Sequence, residues 1–111
     1  MKLEEITDKL GLEKGTRYFD GGRNISGAYT SDLLSDVIAN SKKDNVWVTM
    51  QTHLNIAAVA MLKELAAIIV VMNKEIDKDT VTKAEQEKIN VLKTGMTAYQ
   101  ISGKLYELGI R

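Results

Sequence analysis

Val46 to Met72 reads VWVTMQTHLNIAAVAMLKELAAIIVVM. It opens on a β-branched and aromatic run (Val46, Trp47, Val48, with Thr49 and Met50), crosses the polar tetrad Gln51-Thr52-His53-Leu54, and enters an alanine-rich apolar segment. That order predicts strand, loop and helix. Leu65 to Met72 follows with eight apolar residues in a row. This run is too short for a second long helix and too unbroken for a half-exposed strand, so it is expected to be a central strand covered on both faces. The connection from Gln51 to Leu65 is far too long for a hairpin and long enough for a helical crossover. A right-handed βαβ unit results. The expected fold is α/β: a single three-layer-like domain, residues 1–111, with a small, mostly parallel sheet built on that unit and helices packed on the sheet.

The flanks extend the pattern. Leu3, Ile6 and Leu10 lie at helical spacing, with Glu4 and Glu5 in the first turn, Lys9 in the last and Gly11 at a left-handed cap position. Leu12 to Phe19 has weak strand character, and Asp20-Gly21-Gly22 is a turn signal. Arg23 to Thr30 reads as a strand bent or bulged at Gly27. Ser31 or Asp32 can cap a helix whose apolar stripe is Leu33, Leu34, Val37 and Ile38. Beyond the central unit, Asn73 to Asp79 reads as a charged loop and Thr80 to Lys88 as a surface helix, with Asn90 as a cap. Val91-Leu92 reads as a brief strand. Thr97 and Gln100 form a capping box for a last helix along Ala98, Ile101, Leu105 and Leu108, in which Gly103 implies close packing.

Composition narrows the chemistry. Fifteen basic residues balance fifteen acidic ones, and no basic run exceeds the pair Lys42-Lys43, which argues against a nucleic-acid partner. Cysteine is absent, which removes thiol catalysis, disulfides and thiolate metal sites. Lys63 and Glu64 interrupt the longest apolar run before it could span a bilayer, and the N-terminus is amphipathic rather than signal-like, so a cytoplasmic protein without a membrane partner is expected. One histidine and no carboxylate group at EF-hand spacing leave no metal site, and neither GxGxxG nor GxxxxGK[ST] is present, so no cofactor is implied.

Polar residues do recur where three parallel strands would end: Gln51-Thr52-His53, Asn73, and Thr94-Gly95. Ligands of open α/β sheets bind along that edge. The candidate ligand site is therefore Gln51, Thr52, His53 and Asn55, with Asn73 and Thr94 on the opposing lip and Arg23 and Ser26 as outer contacts. An anion is the expected ligand, because the free N–H groups of a helix start lie there and no acidic residue occurs from Thr49 to Leu62. A second signal is the helix from Asn55 to Leu65, apolar nearly all round. Its Ala58, Met61 and Leu62 form the candidate interface of a homodimer.

The chain resembles the DRTGG domain over nearly its whole length, most closely at Ser31-Asp32-Leu33-Leu34-Ser35-Asp36-Val37, at Trp47 to Thr52 with Asn55 beyond, and at Ala66 to Val71. Such domains are similar to the N-terminal domain of HPr kinase/phosphorylase. They also occur as regulatory inserts in phosphotransacetylases and CBS-domain pyrophosphatases, and as stand-alone chains. The name-giving motif is altered here: Gly22-Arg23 stands where the family has Asp-Arg, and Ser26-Gly27-Ala28 where it has Thr-Gly-Gly. The resemblance implies a regulatory, ligand-sensing module without catalysis, and no P-loop follows that would imply HPr phosphorylation. Two readings stand: a regulatory module for a small anionic ligand such as a nucleotide, or a structural, protein-interaction module acting as a homodimer without a small ligand.

Overall fold

The computed structural model describes all residues from Met1 to Arg111. Five helices and five strands follow one another, alternating from β2 onward: α1 (Leu3–Leu10), β1 (Glu13–Lys14), β2 (Gly27–Thr30), α2 (Leu34–Asn40), β3 (Asn45–Thr49), α3 (Asn55–Lys63), β4 (Ala67–Val70), α4 (Lys78–Glu87), β5 (Val91–Lys93) and α5 (Ala98–Glu107). They form one sheet in the order β1-β5-β4-β3-β2. β2 to β5 are parallel, and only β1 runs antiparallel, against β5.

This topology follows from handedness. Each crossover from β2 to β5 steps to the next strand in the same direction, so right-handed connections place α2, α3 and α4 on one face. The terminal helices α1 and α5 cover the other. The strands accordingly read as continuous apolar runs whose side chains alternate between two cores. Trp47, Ile68, Val70 and Val91 pack with Val37 of α2, Ile56 and Ala60 of α3, and Ala84 of α4. Val46, Val48, Ile69 and Leu92 pack with Leu3 and Ile6 of α1 and Ile101 and Leu105 of α5. The α/β expectation, the parallel βαβ unit and the covered central strand are all present.

Local expectations fare unevenly. The Gly11 cap is left-handed at φ 61°, and the Thr97/Gln100 capping box is formed. Gly27, however, begins β2 in regular parallel register with Asn45 and makes no bulge. Asn90 is no helix cap: it is buried, its amide nitrogen donating to the Ala66 carbonyl at 3.0 Å. Lys88, in the left-handed conformation, ends α4 instead. Gly103 is exposed, with nothing within 4 Å of where a Cβ would stand, so it marks no close packing within the chain. Of the stripe expected on α2 only Val37 is buried; Leu33 and Ile38 are exposed.

Candidate functional site

Gln51, Thr52, His53 and Asn55 follow β3, Asn73 follows β4 and Thr94 follows β5, so these residues leave neighbouring parallel strands at one edge of the sheet. The loop after β3 is held by a residue from elsewhere. The Asp32 carboxylate accepts hydrogen bonds from Thr49 Oγ1 and the Met50 N–H, both at 2.8 Å, and Gln51 Nε2 donates to the Asp32 carbonyl at 3.0 Å. Thr52 is tied to α4: its carbonyl accepts from Thr80 Oγ1 at 2.8 Å, and its hydroxyl donates to Asp77 at 3.4 Å. His53 and Asn55 are exposed, and their side chains have no partner within the chain.

The loop enters α3 without a side-chain cap. Among backbone donors, Ile56 N–H reaches the His53 carbonyl and Ala57 N–H the Leu54 carbonyl, whereas the N–H groups of Thr52, His53, Leu54 and Asn55 find no acceptor in the chain. Four successive free donors at the positive end of a nine-residue helix form an anion-attracting surface. The charge balance differs from the sequence expectation, because Asp32 and Asp77 reach this edge from other segments. The Asp32 carboxylate is already engaged by two donors, while Asp77 stands beside Thr52.

The opposing lip is closed rather than open. α4 and α5 leave adjacent strands for opposite faces, the arrangement that opens a crevice in α/β sheets. Here the two exits are stitched together: Asn73 N–H donates to the Thr94 carbonyl at 2.9 Å, and Met72 N–H to the Met96 carbonyl at 3.0 Å. Thr94 is buried, its hydroxyl accepting from the Met96 N–H. Met72 and Asn73 both take positive φ, 61° and 53°. No hollow is lined by the residues of this edge; the site is a surface, not a cleft.

Arg23 and Ser26 lie at the opposite edge of the sheet and cannot be outer contacts of the same ligand. Ser26 donates to the Lys43 carbonyl at 2.6 Å and accepts from Nδ2 of Asn45, the first residue of β3, and Arg23 pairs with Asp44 in the turn before it. β2 starts at Gly27 and runs parallel to β3, so Arg23 and Ser26, which lead into it, fall at the N-terminal edge.

The candidate interface residues do share one exposed surface. Ala58, Met61 and Leu62 face outward from α3, the middle of the three helices on its face, and exposed Leu54 continues the line. Group chemistry is sparse. No three His, Cys, Asp or Glu side chains converge as a metal would require, and no helix is long and apolar enough to cross a membrane.

No family model and no curated protein matches the chain. Among solved structures, the crystal structure of the CBS and DRTGG domains of the regulatory region of Clostridium perfringens pyrophosphatase, complexed with the activator diadenosine tetraphosphate, is similar over 91% of this chain, with a TM-score of 0.68 and 16% identity. This chain spans 44% of that one. The likeness is one of fold, and it is a fold found in the CBS and DRTGG region of a regulated enzyme.

Proposed function

We propose that this chain is a non-catalytic regulatory module of the DRTGG type that binds a small anionic ligand, a nucleotide in the first instance, at the C-terminal edge of its sheet. The observation that carries this reading is the run of unbonded N–H groups from Thr52 to Asn55 at the uncapped start of α3. His53 and the Asn55 amide flank that run with free polar groups. The fold likeness supports a regulatory role, because the similar crystal structure comes from a regulatory region bound to a nucleotide activator. Catalysis is not part of the proposal: His53 stands alone and exposed, with no nucleophile, second base or orienting carboxylate bonded to it.

A thermal-shift panel of nucleotides, sugar phosphates and simple anions tests it. A ligand at a hundred times its dissociation constant adds about 2.7 kcal/mol, and a domain of this size gains several degrees per kcal/mol. A salt-independent shift that Thr52→Asp removes is the expected result. Failure of every compound overturns the reading, as does turnover of ATP, pyrophosphate or acetyl phosphate that disappears in His53→Ala.

The second reading, a homodimeric interaction module, rests on the exposed line Leu54, Ala58, Met61 and Leu62. Of the exposed residues of α3 only Asn55 is polar; Ala58, Met61 and Leu62 are apolar.

A further inference from the structure

β1 and β2 are the two outer strands of the sheet. β1 has only two residues, Glu13 and Lys14, both charged and exposed, which is how an outer strand is kept from pairing further. β2 carries none of these protections. Gly27, Ala28, Tyr29 and Thr30 keep regular register with β3, without a charge, a proline or a bulge.

The phase of the hydrogen bonds shows which groups are left over. In a parallel pair, alternate residues turn their N–H and C=O toward the neighbour. The Asn45 and Thr49 carbonyls of β3 accept from Ala66 and Val71 on the β4 side, whereas the Val48 carbonyl accepts from the Ser31 N–H on the β2 side. Tyr29 and Ser31 therefore face β3, and the main-chain groups of Ala28 and Thr30 point away from it. No main-chain partner reaches those groups from outside the sheet.

The free side of β2 lies in a trough. A hollow of about 370 Å³ opens on the α5 side, beside Ala28, Thr30, Ser102, Tyr106 and Ile110. Another, of about 470 Å³, opens on the α2 side, beside Tyr29, Asn40, Lys42 and Asn45. The main-chain oxygen of Arg111 stands 3.1 Å from where a Cβ of Gly27 would be, which closes the trough at that end. Gly27 is buried, and Ala28 and Tyr29 are half-buried, although no strand lies beyond them. A second copy of the fold holds its own β2 between the same flanking side chains, so two recessed strands do not meet. A single extended segment is narrow enough to enter.

We propose that β2 takes an extended peptide segment of a partner protein as a further strand, bound by the N–H and C=O groups of Ala28 and Thr30, with its side chains alternating between the two hollows. This site is independent of the α3 edge. Residues opposite one another across a sheet share a face. The side chains opposite Ala28 and Thr30 thus enter the α5 hollow, where Ala28, Tyr106 and Ile110 select apolar groups and the Thr30 and Ser102 hydroxyls are bonded to each other at 2.7 Å. The residue between them turns toward the α2 hollow, which is lined mainly by polar side chains. The segment selected is apolar, polar, apolar.

The probe is a short, terminally blocked peptide of alternating valine and threonine, titrated into the intact chain and followed by NMR. In the free chain the Ala28 and Thr30 amides should exchange with solvent faster than those of Tyr29 and Ser31. The peptide should shift the first pair saturably and slow their exchange. A fully N-methylated form of the same peptide, which lacks main-chain donors, should bind at least about tenfold more weakly. Thr30→Pro removes an outward N–H without taking a bond from β3, a change that an outer strand accepts, and should weaken binding to a similar degree. The methylated peptide gives the same answer on the unaltered chain should that variant fail to fold. The proposal is overturned if no shift saturates, if the methylated peptide binds as tightly, or if the shifts fall on α3. It is also overturned if the Ala28 and Thr30 amides are protected in the free chain together with a doubled mass, which would give β2 to a second copy.

Discussion

The Arg23 guanidinium stands 2.9 Å from the Asp44 carboxylate, and the same nitrogen donates to the Glu64 carbonyl, also at 2.9 Å. Asp44 and Glu64 both occupy the left-handed region, at φ 66° and 52°, and each precedes a parallel strand. A non-glycine residue there is held only by its surroundings, at about 1–3 kcal/mol. Arg23 supplies that hold for both turns at once. Arg23→Ala should therefore destabilise the fold by about 1–2 kcal/mol, discounted because each side of the ion pair is about a third exposed. Urea denaturation checks it, and the anion response of the α3 edge should survive the change. A parental urea midpoint would show that the two turns hold without the clamp.

Gly103 gives a change of opposite sign. It sits inside α5, exposed, with no atom within 4 Å of the position a methyl group would take and without a positive φ. Gly103→Ala should stabilise the domain by about 1 kcal/mol through helix propensity alone. Gly15 is the counter-case, since a Cβ there would meet Ile76 Cδ1 at 2.7 Å and the Val91 carbonyl at 3.1 Å. Gly15→Ala should lower the denaturation midpoint, and equal effects at the two positions would contradict this packing.

The parallel sheet was legible from Val46 to Met72 because buried parallel strands need unbroken apolar runs, and the polar residues that follow each run mark where the strands end. What escaped was non-local. Asp32 and Asp77 come to that edge from other crossovers, and Asn73 with Thr94 spend their backbone groups on each other. Arg23 and Ser26 precede a parallel strand, and strand direction alone sends them to the far edge. Gly103 and Asn90 show the limit of local rules. A helical glycine implies packing only if a neighbour arrives, and an asparagine beside a strand can cap a helix or fill a core with equal local cost.

Tyr29 and Asp36 form a pH-bounded contact. The Tyr29 hydroxyl donates to Asp36 at 2.7 Å, which raises the tyrosine above its ordinary 10.0, with burial adding to the effect. The same bond, with help from Ser31 and Asn40, lowers Asp36 below its ordinary 3.8. A lowered carboxylate contributes stability above its unfolded pKa and loses it as pH falls through the folded one. A raised phenol contributes below its unfolded pKa and loses it as pH rises through the folded one. Thermal melts of Tyr29→Phe should thus lie below the parent by a constant margin from about pH 5 to about pH 9, and the margin should shrink in stronger acid. A margin that varies around neutrality would implicate another group.

Light scattering decides the dimer reading of α3. The exposed Leu54, Ala58, Met61 and Leu62 line predicts a dimer mass at tens of micromolar protein, and Ala58→Glu or Met61→Glu should return the monomer with its melting temperature nearly kept, because both positions face solvent in the single chain. A monomer in the parent chain would sink the reading.

Asn90 joins segments that are distant in sequence. Its side-chain carbonyl accepts from the Asp20 N–H at 2.8 Å, and its amide nitrogen donates to the Ala66 carbonyl at 3.0 Å and, more weakly, to the Asp20 carbonyl at 3.4 Å. With 3% exposure it has no water to substitute for these partners. Asn90→Leu fills the volume but leaves the buried Ala66 carbonyl without that partner, at about 1–3 kcal/mol, while the N–H of exposed Asp20 can turn to water. Asn90→Asp keeps the bond from the Asp20 N–H and turns the other half into an acceptor facing two carbonyls, which a carboxylate tolerates only by taking up a proton. The aspartate variant should therefore be much less stable than the parent at pH 8 and recover part of the difference at pH 5, whereas the leucine variant should show the same deficit at both. Urea midpoints at the two pH values separate the cases, and a pH-independent deficit for the aspartate would mean that Asn90 is not confined between those carbonyls.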